Sequence, residues 1–170
     1  MQLNKQLLSL LINHKSNNIN KLDIYIGKLE INYNKNKLFS KNISKYNYDQ
    51  IINKFLKYKF TNYKEQLYRY SNNYLSIKNK TKTHYNKINF KNFSHDKYLF
   101  LVYSQNEVPY TDFTCKKEYH ITNNNFTKFI INNEISILFI ENKNKFNIKL
   151  EIIVDHNIDL TIKTLESINI

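Results

Sequence analysis

The sequence predicts an α+β fold: an antiparallel β-barrel or strongly curved, tunnel-like sheet, with an N-terminal helix and a helix after the first strand. Three observations predict it. From residue 61 to 153, runs rich in β-branched and aromatic residues follow one another, separated by Asn, Lys, Ser and Asp clusters. Apolar residues at helical spacing are confined to stretches outside that block. A chain of 170 residues with 41% hydrophobic and 15% aromatic content can bury the core of one domain, and disordered chains lack such aromatic content. Runs of strands flanked by helices mark the α+β class.

The elements follow in order, as one domain over 1–170. Residues 2–13 carry Leu3, Leu7, Leu8, Leu10 and Leu11, an amphipathic helix. A polar break covers 14–20. Residues 21–33 read as a strand, because Leu22, Ile24 and Ile26 alternate with Asp23 and Tyr25, and the interior Gly27 marks a bulge or bend. A loop spans 35–41. Ser44 is a helix N-cap, and Tyr48, Ile51, Ile52, Phe55 and Leu56 form a core-facing stripe behind it. Strands are expected over 65–71, 74–80, 81–89, 98–104, 114–121, 134–141 and 147–154, completing a barrel over 21–154. Asn123 to Asn125 and residues 141–145 read as turns. Ile158, Ile162 and Leu165 suggest a closing helix over 157–167, within a C-terminal helix or tail over 155–170.

All but one of the 26 basic residues are Lys, the exception being Arg69, against 14 acids. A net charge of +12 draws polyanions such as RNA or a polyphosphate. Ala and Trp are absent, and Gly and Pro occur once each. Lys, Asn, Ile, Tyr and Phe have AT-rich codons. An AT-biased genome (a large DNA virus, an organelle, a linear plasmid or a protist) therefore supplies part of the Lys excess. One glycine cannot build a Gly-rich phosphate loop. One cysteine, Cys115, excludes an internal disulfide and a Cys-based metal cluster, and it fits a reducing, intracellular setting, cytoplasmic or organellar. His14, His84, His95, His120 and His156 are scattered and read as surface or packing residues, and Cys115 as a structural thiol despite His120 nearby in sequence. No apolar run reaches the length of a membrane span.

One ordered pattern remains. Lys21-Leu22-Asp23-Ile24-Tyr25-Ile26-Gly27 precedes Phe39, Ile43-Ser44 and the helix carrying Ile51, Ile52 and Leu56. Then come 98–107, Cys115-Lys116-Lys117-Glu118-Tyr119, the run 135–140 and Phe146-Asn147-Ile148-Lys149-Leu150-Glu151-Ile152. This order resembles the triphosphate-tunnel RNA 5′-triphosphatases of viral mRNA capping enzymes, over about residues 21–154. The resemblance implies a barrel with inward carboxylates on its first and last strands. These would hold Mg²⁺ or Mn²⁺ through oxygen, with inward Lys and Arg on the triphosphate.

The match departs at the chemistry. Lys21 and Asp23 stand where the family has Glu-x-Glu, and Lys149 and Glu151 where it has the second such pair. Tyr25, Cys115 and Tyr119 occupy expected Arg positions, and Lys117 keeps a phosphate-binding type. The resemblance thus implies Lys21, Lys117 and Lys149 as phosphate ligands and Asp23, Glu118 and Glu151 as the remaining metal candidates. The same three acids also read as ordinary solvent-facing residues. The expectation is a degenerate tunnel: weakly active or inactive, binding an RNA 5′-triphosphate or polyphosphate, and attached to a capping or transcription assembly. If active, it would be a metal-dependent polynucleotide 5′-phosphatase.

Two other readings stay open. One is a structural RNA-binding protein of ribosomal type, contacting RNA through Lys78, Lys80, Lys82 and residues 87–97. The other is a protein–protein interaction subunit. A tunnel demands charged residues inside the barrel, Lys117, Glu118, Lys149 and Glu151 among them. An RNA scaffold demands an apolar interior.

Overall fold

The computed structural model describes residues 21–108, 120–153 and 158–168. The expected helix over 2–13 and the candidates Lys117 and Glu118 lie outside them. The chain forms β1 (Lys21–Ile26), β2 (Lys28–Ile31), β3 (Lys37–Ser40), α1 (Lys45–Phe55), β4 (Phe60–Tyr70), β5 (Asn73–Lys78), β6 (Thr81–His95), β7 (Tyr98–Glu107), β8 (His120–Ile130), β9 (Ile135–Asn142), β10 (Lys145–Ile153) and α2 (Ile158–Ser167). Eight strands close into an antiparallel barrel in the order β1-β10-β9-β8-β4-β5-β6-β7, and β1 pairs with β7 to complete it. The hairpin β2–β3 stands apart as a two-stranded sheet.

Strand alternation sends every second side chain to each face. On β1, Leu22, Ile24 and Ile26 point out of the barrel. Their register partners Val102, Phe100 and Tyr98 on β7, and Ile152, Leu150 and Ile148 on β10, point the same way. Ile135, Ile137 and Phe139 of β9 extend the patch. Tyr48, Ile51 and Phe55 of α1 and Leu165 of α2 cover it, forming the principal core. Phe139 stacks edge-on against Tyr48 and Phe129. The hydrophobic core therefore lies outside the barrel, under the helices, which leaves the barrel interior free to be polar.

Helix α1 starts where expected. The Ser44 side chain accepts a hydrogen bond from the Asn47 amide at 3.1 Å. Leu56 caps the helix and is exposed rather than packed. The expected single strand over 21–33 is instead cut at Gly27. A Cβ there would lie 1.9 Å from the Ser40 carbonyl oxygen, so only glycine lets β3 approach this closely. That approach turns part of the expected 35–41 loop into β3.

The Asn123 to Asn125 triplet is not a turn. It lies within β8, its residues opposite Gln66, Glu65 and Lys64 of β4. Ladder pairing to a long partner outweighs the turn preference of Asn. With glycine scarce, other residues take the left-handed conformations of the tight hairpins: Ser71 between β4 and β5, Asn79 and Lys80 between β5 and β6, Asp96 between β6 and β7, and Lys143 between β9 and β10.

Candidate functional site: a charged barrel interior

The inward residues of the strands surround a cavity of about 350 Å³. Among the described residues, five lysines line it: Lys21 from β1, Lys78 from β5, Lys87 from β6, Lys128 from β8 and Lys149 from β10. Among the described residues, Glu65 and Glu151 are the carboxylates of the lining, and Asp23 lies behind it, buried on β1. Tyr25, Tyr63, Tyr85 and Tyr103 add aromatic rings to the wall, and Phe126, Leu138 and Ile140 an apolar patch.

The register explains how the sequence-predicted residues meet. Asp23 is directly opposite Glu151, and Lys149 opposite Tyr25. From that position the Lys149 ammonium lies 3.1 Å from Asp23 Oδ2 and 3.3 Å from Glu151 Oε1. The Tyr103 hydroxyl also donates to Asp23 Oδ2, at 3.0 Å, while Asp23 Oδ1 has no hydrogen-bond partner among the described residues. Lys128 approaches Glu151 at 3.9 Å. Across the cavity, Ser76 Oγ donates to Glu65 at 2.7 Å and Lys78 pairs with the same oxygen at 3.3 Å.

The electrostatics follow from this arrangement. Burial alone would push the Glu151 carboxyl up, but Lys149, then Lys128 and Lys21, overcome it and hold the group at about 2. Burial disfavours the Lys149 ammonium, yet Asp23 and Glu151 hold its pKa well above the ordinary lysine value. Lys87 differs. Its nitrogen sits over the rings of Tyr103, Tyr74 and Tyr85, at 4.6, 5.2 and 5.9 Å from their centroids. Aromatic faces stabilise a cation but do not neutralise it. Burial first, and repulsion from Lys149 second, bring Lys87 down to about 8, with the more distant carboxylates offsetting this only in part. Lys41, 4.1 Å over the Tyr25 ring, is likewise lowered by burial and by Lys149.

Of the sequence-predicted residues, Lys21, Asp23, Lys149 and Glu151 are brought together. Asp23 and Glu151 are not solvent-facing acids. Lys87, Lys78, Lys128, Glu65 and Tyr103 were missed as tunnel residues. Lys78 and Lys87 in particular were read as parts of an outer contact surface, but they line the cavity. Period-two alternation carried the signal, since Thr83, Tyr85 and Lys87 share one face of β6.

At the level of sequence, no protein-family model matches the chain, and no curated protein is significantly similar to it. Solved structures are similar in shape. The triphosphatase of the mimivirus capping enzyme superposes with a TM-score of 0.63 at 11% identity, over 99% of this chain and 96% of that one. The fold is that of the RNA triphosphatase tunnel. The S. pombe Pct1 RNA triphosphatase, solved in complex with the Spt5 CTD, gives a TM-score of 0.61 at 11% identity, over 95% of this chain and 83% of that one. The curved, tunnel-like barrel expected from the sequence is thus a closed one.

A tunnel of this fold implies a divalent cation, and the residues present can be tested against one. Mg²⁺ and Mn²⁺ need a near-complete shell of oxygen ligands. Among the described residues, no group of three or more His, Cys, Asp and Glu side chains is placed to hold a metal ion. Asp23 and Glu151 already share the Lys149 ammonium, and Asp23 Oδ1 is a single open oxygen rather than a cage. This set is an internal ion triad, and it does not fit a divalent cation. Among the described residues, no helix is long and apolar enough to cross a membrane.

Proposed function

We propose that the barrel binds a triphosphate chain, either the 5′-triphosphate end of an RNA or inorganic polyphosphate, and hydrolyses it weakly or not at all. The observation that carries this reading is the Lys87 ammonium. It is enclosed in the cavity among three tyrosine rings and, among the described residues, has no carboxylate within ion-pair distance, with four further lysines in the same wall. A buried cation without a counter-charge is costly. A polyanion entering the tunnel supplies that charge. The cavity volume lies at the small end of ligand sites, which run from roughly 300 to 1,000 Å³, and suits a phosphate chain better than a whole nucleotide. Phosphoryl transfer further requires an oriented nucleophile and concentrated positive charge on the transferred group. The Asp23–Lys149–Glu151 triad spends much of its charge internally.

Similarity in fold to a capping-enzyme triphosphatase supports a place in mRNA capping, and the Pct1 complex supports attachment to a transcription assembly. Thermal shift and calorimetry with tripolyphosphate test the binding. Stabilisation by tripolyphosphate that Lys87→Met removes is the expected result. Absence of any shift, with tight binding to RNA whatever its 5′ end, would favour an RNA scaffold instead. Phosphate release from 5′-triphosphate RNA in Mg²⁺ or Mn²⁺, abolished by Asp23→Ala and Glu151→Ala, would overturn the non-catalytic part.

A further inference from the structure

We infer that the Lys149 ammonium is a built-in substitute for the divalent cation of the tunnel, so that this barrel engages a triphosphate chain without metal. The inference rests on the polyphosphate-binding reading and adds the ionic form of the ligand: free triphosphate rather than its metal complex.

The register makes the substitution geometric. Asp23 and Glu151 are directly paired on neighbouring strands, and both side chains point inward. Their carboxylates define one point between them, and the Lys149 ammonium occupies it, at 3.1 and 3.3 Å. Lysine reaches that point because position 149 lies two residues before Glu151 on the same strand and therefore on the same face. An ammonium carries three N–H donors. Two face the carboxylates, and a third remains for an anion in the cavity that Lys149 lines. A divalent ion brought to the same carboxylates would sit against this ammonium, and like charges at such range repel strongly. The triad also lacks the oxygen ligands that would repay dehydration of the ion.

An ammonium does only part of what a metal does. It attracts phosphate oxygens and neutralises the two acids. It does not lower the pKa of a bound water to make a nucleophile. Metal-free binding and slow hydrolysis therefore share one structural cause. The charge balance also sets the sign of a metal effect. Mg²⁺ or Mn²⁺ chelating the phosphate chain removes part of the negative charge that the lysines attract. Added metal should weaken the complex, the reverse of its effect on a metal-requiring site.

The experiment uses the full chain, with tripolyphosphate and Mn²⁺ as the actual probes. Calorimetry in EDTA and in excess Mg²⁺ should give binding in EDTA that is equal or tighter. Mn²⁺ alone, followed by the electron paramagnetic resonance of the free ion, should show no binding to the wild type. Lys149→Glu should acquire Mn²⁺ binding and lose tripolyphosphate binding in EDTA. Lys149→Met, which keeps the apolar stem of the side chain without its charge, should gain weaker Mn²⁺ binding. Circular dichroism establishes that each variant is folded. Tripolyphosphate binding that requires metal, or stoichiometric Mn²⁺ uptake by the wild type, overturns the inference. So does a folded Lys149→Glu that binds Mn²⁺ no better than the wild type. Should neither variant fold, the two wild-type titrations decide alone. No tripolyphosphate binding in any buffer would refute the polyphosphate reading, and this inference with it. Binding that appears only with metal would refute this inference while leaving the polyphosphate reading intact.

Discussion

Replacing Lys149 by methionine isolates the charge at the centre of the barrel, because methionine keeps the length and bulk of the lysine stem. Asp23 is 2% exposed and Lys149 9%. Removing one partner of a buried pair leaves an uncompensated charge and costs about 3–5 kcal/mol. A second route gives a similar figure. Glu151 is held at about 2 rather than 4.5, and at about 1.4 kcal/mol per pKa unit this is worth about 3 kcal/mol, of which Lys149 is the largest favourable source. Loss of the Asp23 contact adds to the Lys149 share. We therefore expect Lys149→Met to destabilise the fold by about 3 kcal/mol at neutral pH. The pH dependence identifies the origin. A carboxylate with a depressed folded-state pKa contributes stability above its unfolded value, and the contribution is lost as the pH falls through the folded one. For Glu151 that window runs from 4.5 down to about 2. Wild type and variant should therefore converge across it. Urea unfolding at neutral pH and at several acid values measures this. A triple variant that also carries Asp23→Asn and Glu151→Gln should be more stable than Lys149→Met alone, because the two acids no longer lie buried without the ammonium, but short of wild type, because Lys128 and Lys87 lose the charge of Glu151. An unchanged midpoint for Lys149→Met at neutral pH would refute the reasoning. A deficit that persists undiminished in acid would too, since that points to packing rather than charge.

Three further outcomes are expected. Gly27→Ala should lower the urea midpoint by the equivalent of at least about 1–3 kcal/mol, because its Cβ collides with backbone rather than with a movable side chain. Phe139→Ala, which empties the contact of β9 with α1 and Phe129, should cost about 3–5 kcal/mol in the same assay and leave the cavity lining intact. Tripolyphosphate binding should weaken as the pH rises through about 8, where Lys87 loses its proton, and calorimetry of Lys87→Arg should show the loss displaced to higher pH. In the absence of ligand the sign for stability is opposite. Lys87 has a folded pKa below its unfolded value, so its contribution makes the fold more stable as the pH rises from about 8 toward 10.5.

Much of the architecture was legible in the chain. Alternation in Leu22, Ile24 and Ile26 gave β1 its apolar and polar faces, the Ser44 cap and the 3.6-residue stripe gave α1, and the strand-rich block gave the barrel. Other features depended on partners far away in sequence. Asn123 to Asn125 look like a turn until β4 is laid beside them. Residues 37–40 look like a loop until they pair with β2 and the bare Gly27 leaves room for the Ser40 carbonyl.

The site divides in the same way. By itself the sequence determined which strand positions alternate, and so that Lys21 and Asp23 share one face of β1 and Lys149 and Glu151 one face of β10. It also supplied too many lysines for their number to be informative. Only the tertiary structure decided which face of each strand is the inside. Two helices cover the apolar outer face, so the polar alternates must turn inward, and barrel closure then sets Asp23 opposite Glu151 with the Lys149 ammonium between them. The physical reason is that alternation is a local property of a strand, whereas inside and outside are defined only when eight strands close and something covers their apolar face.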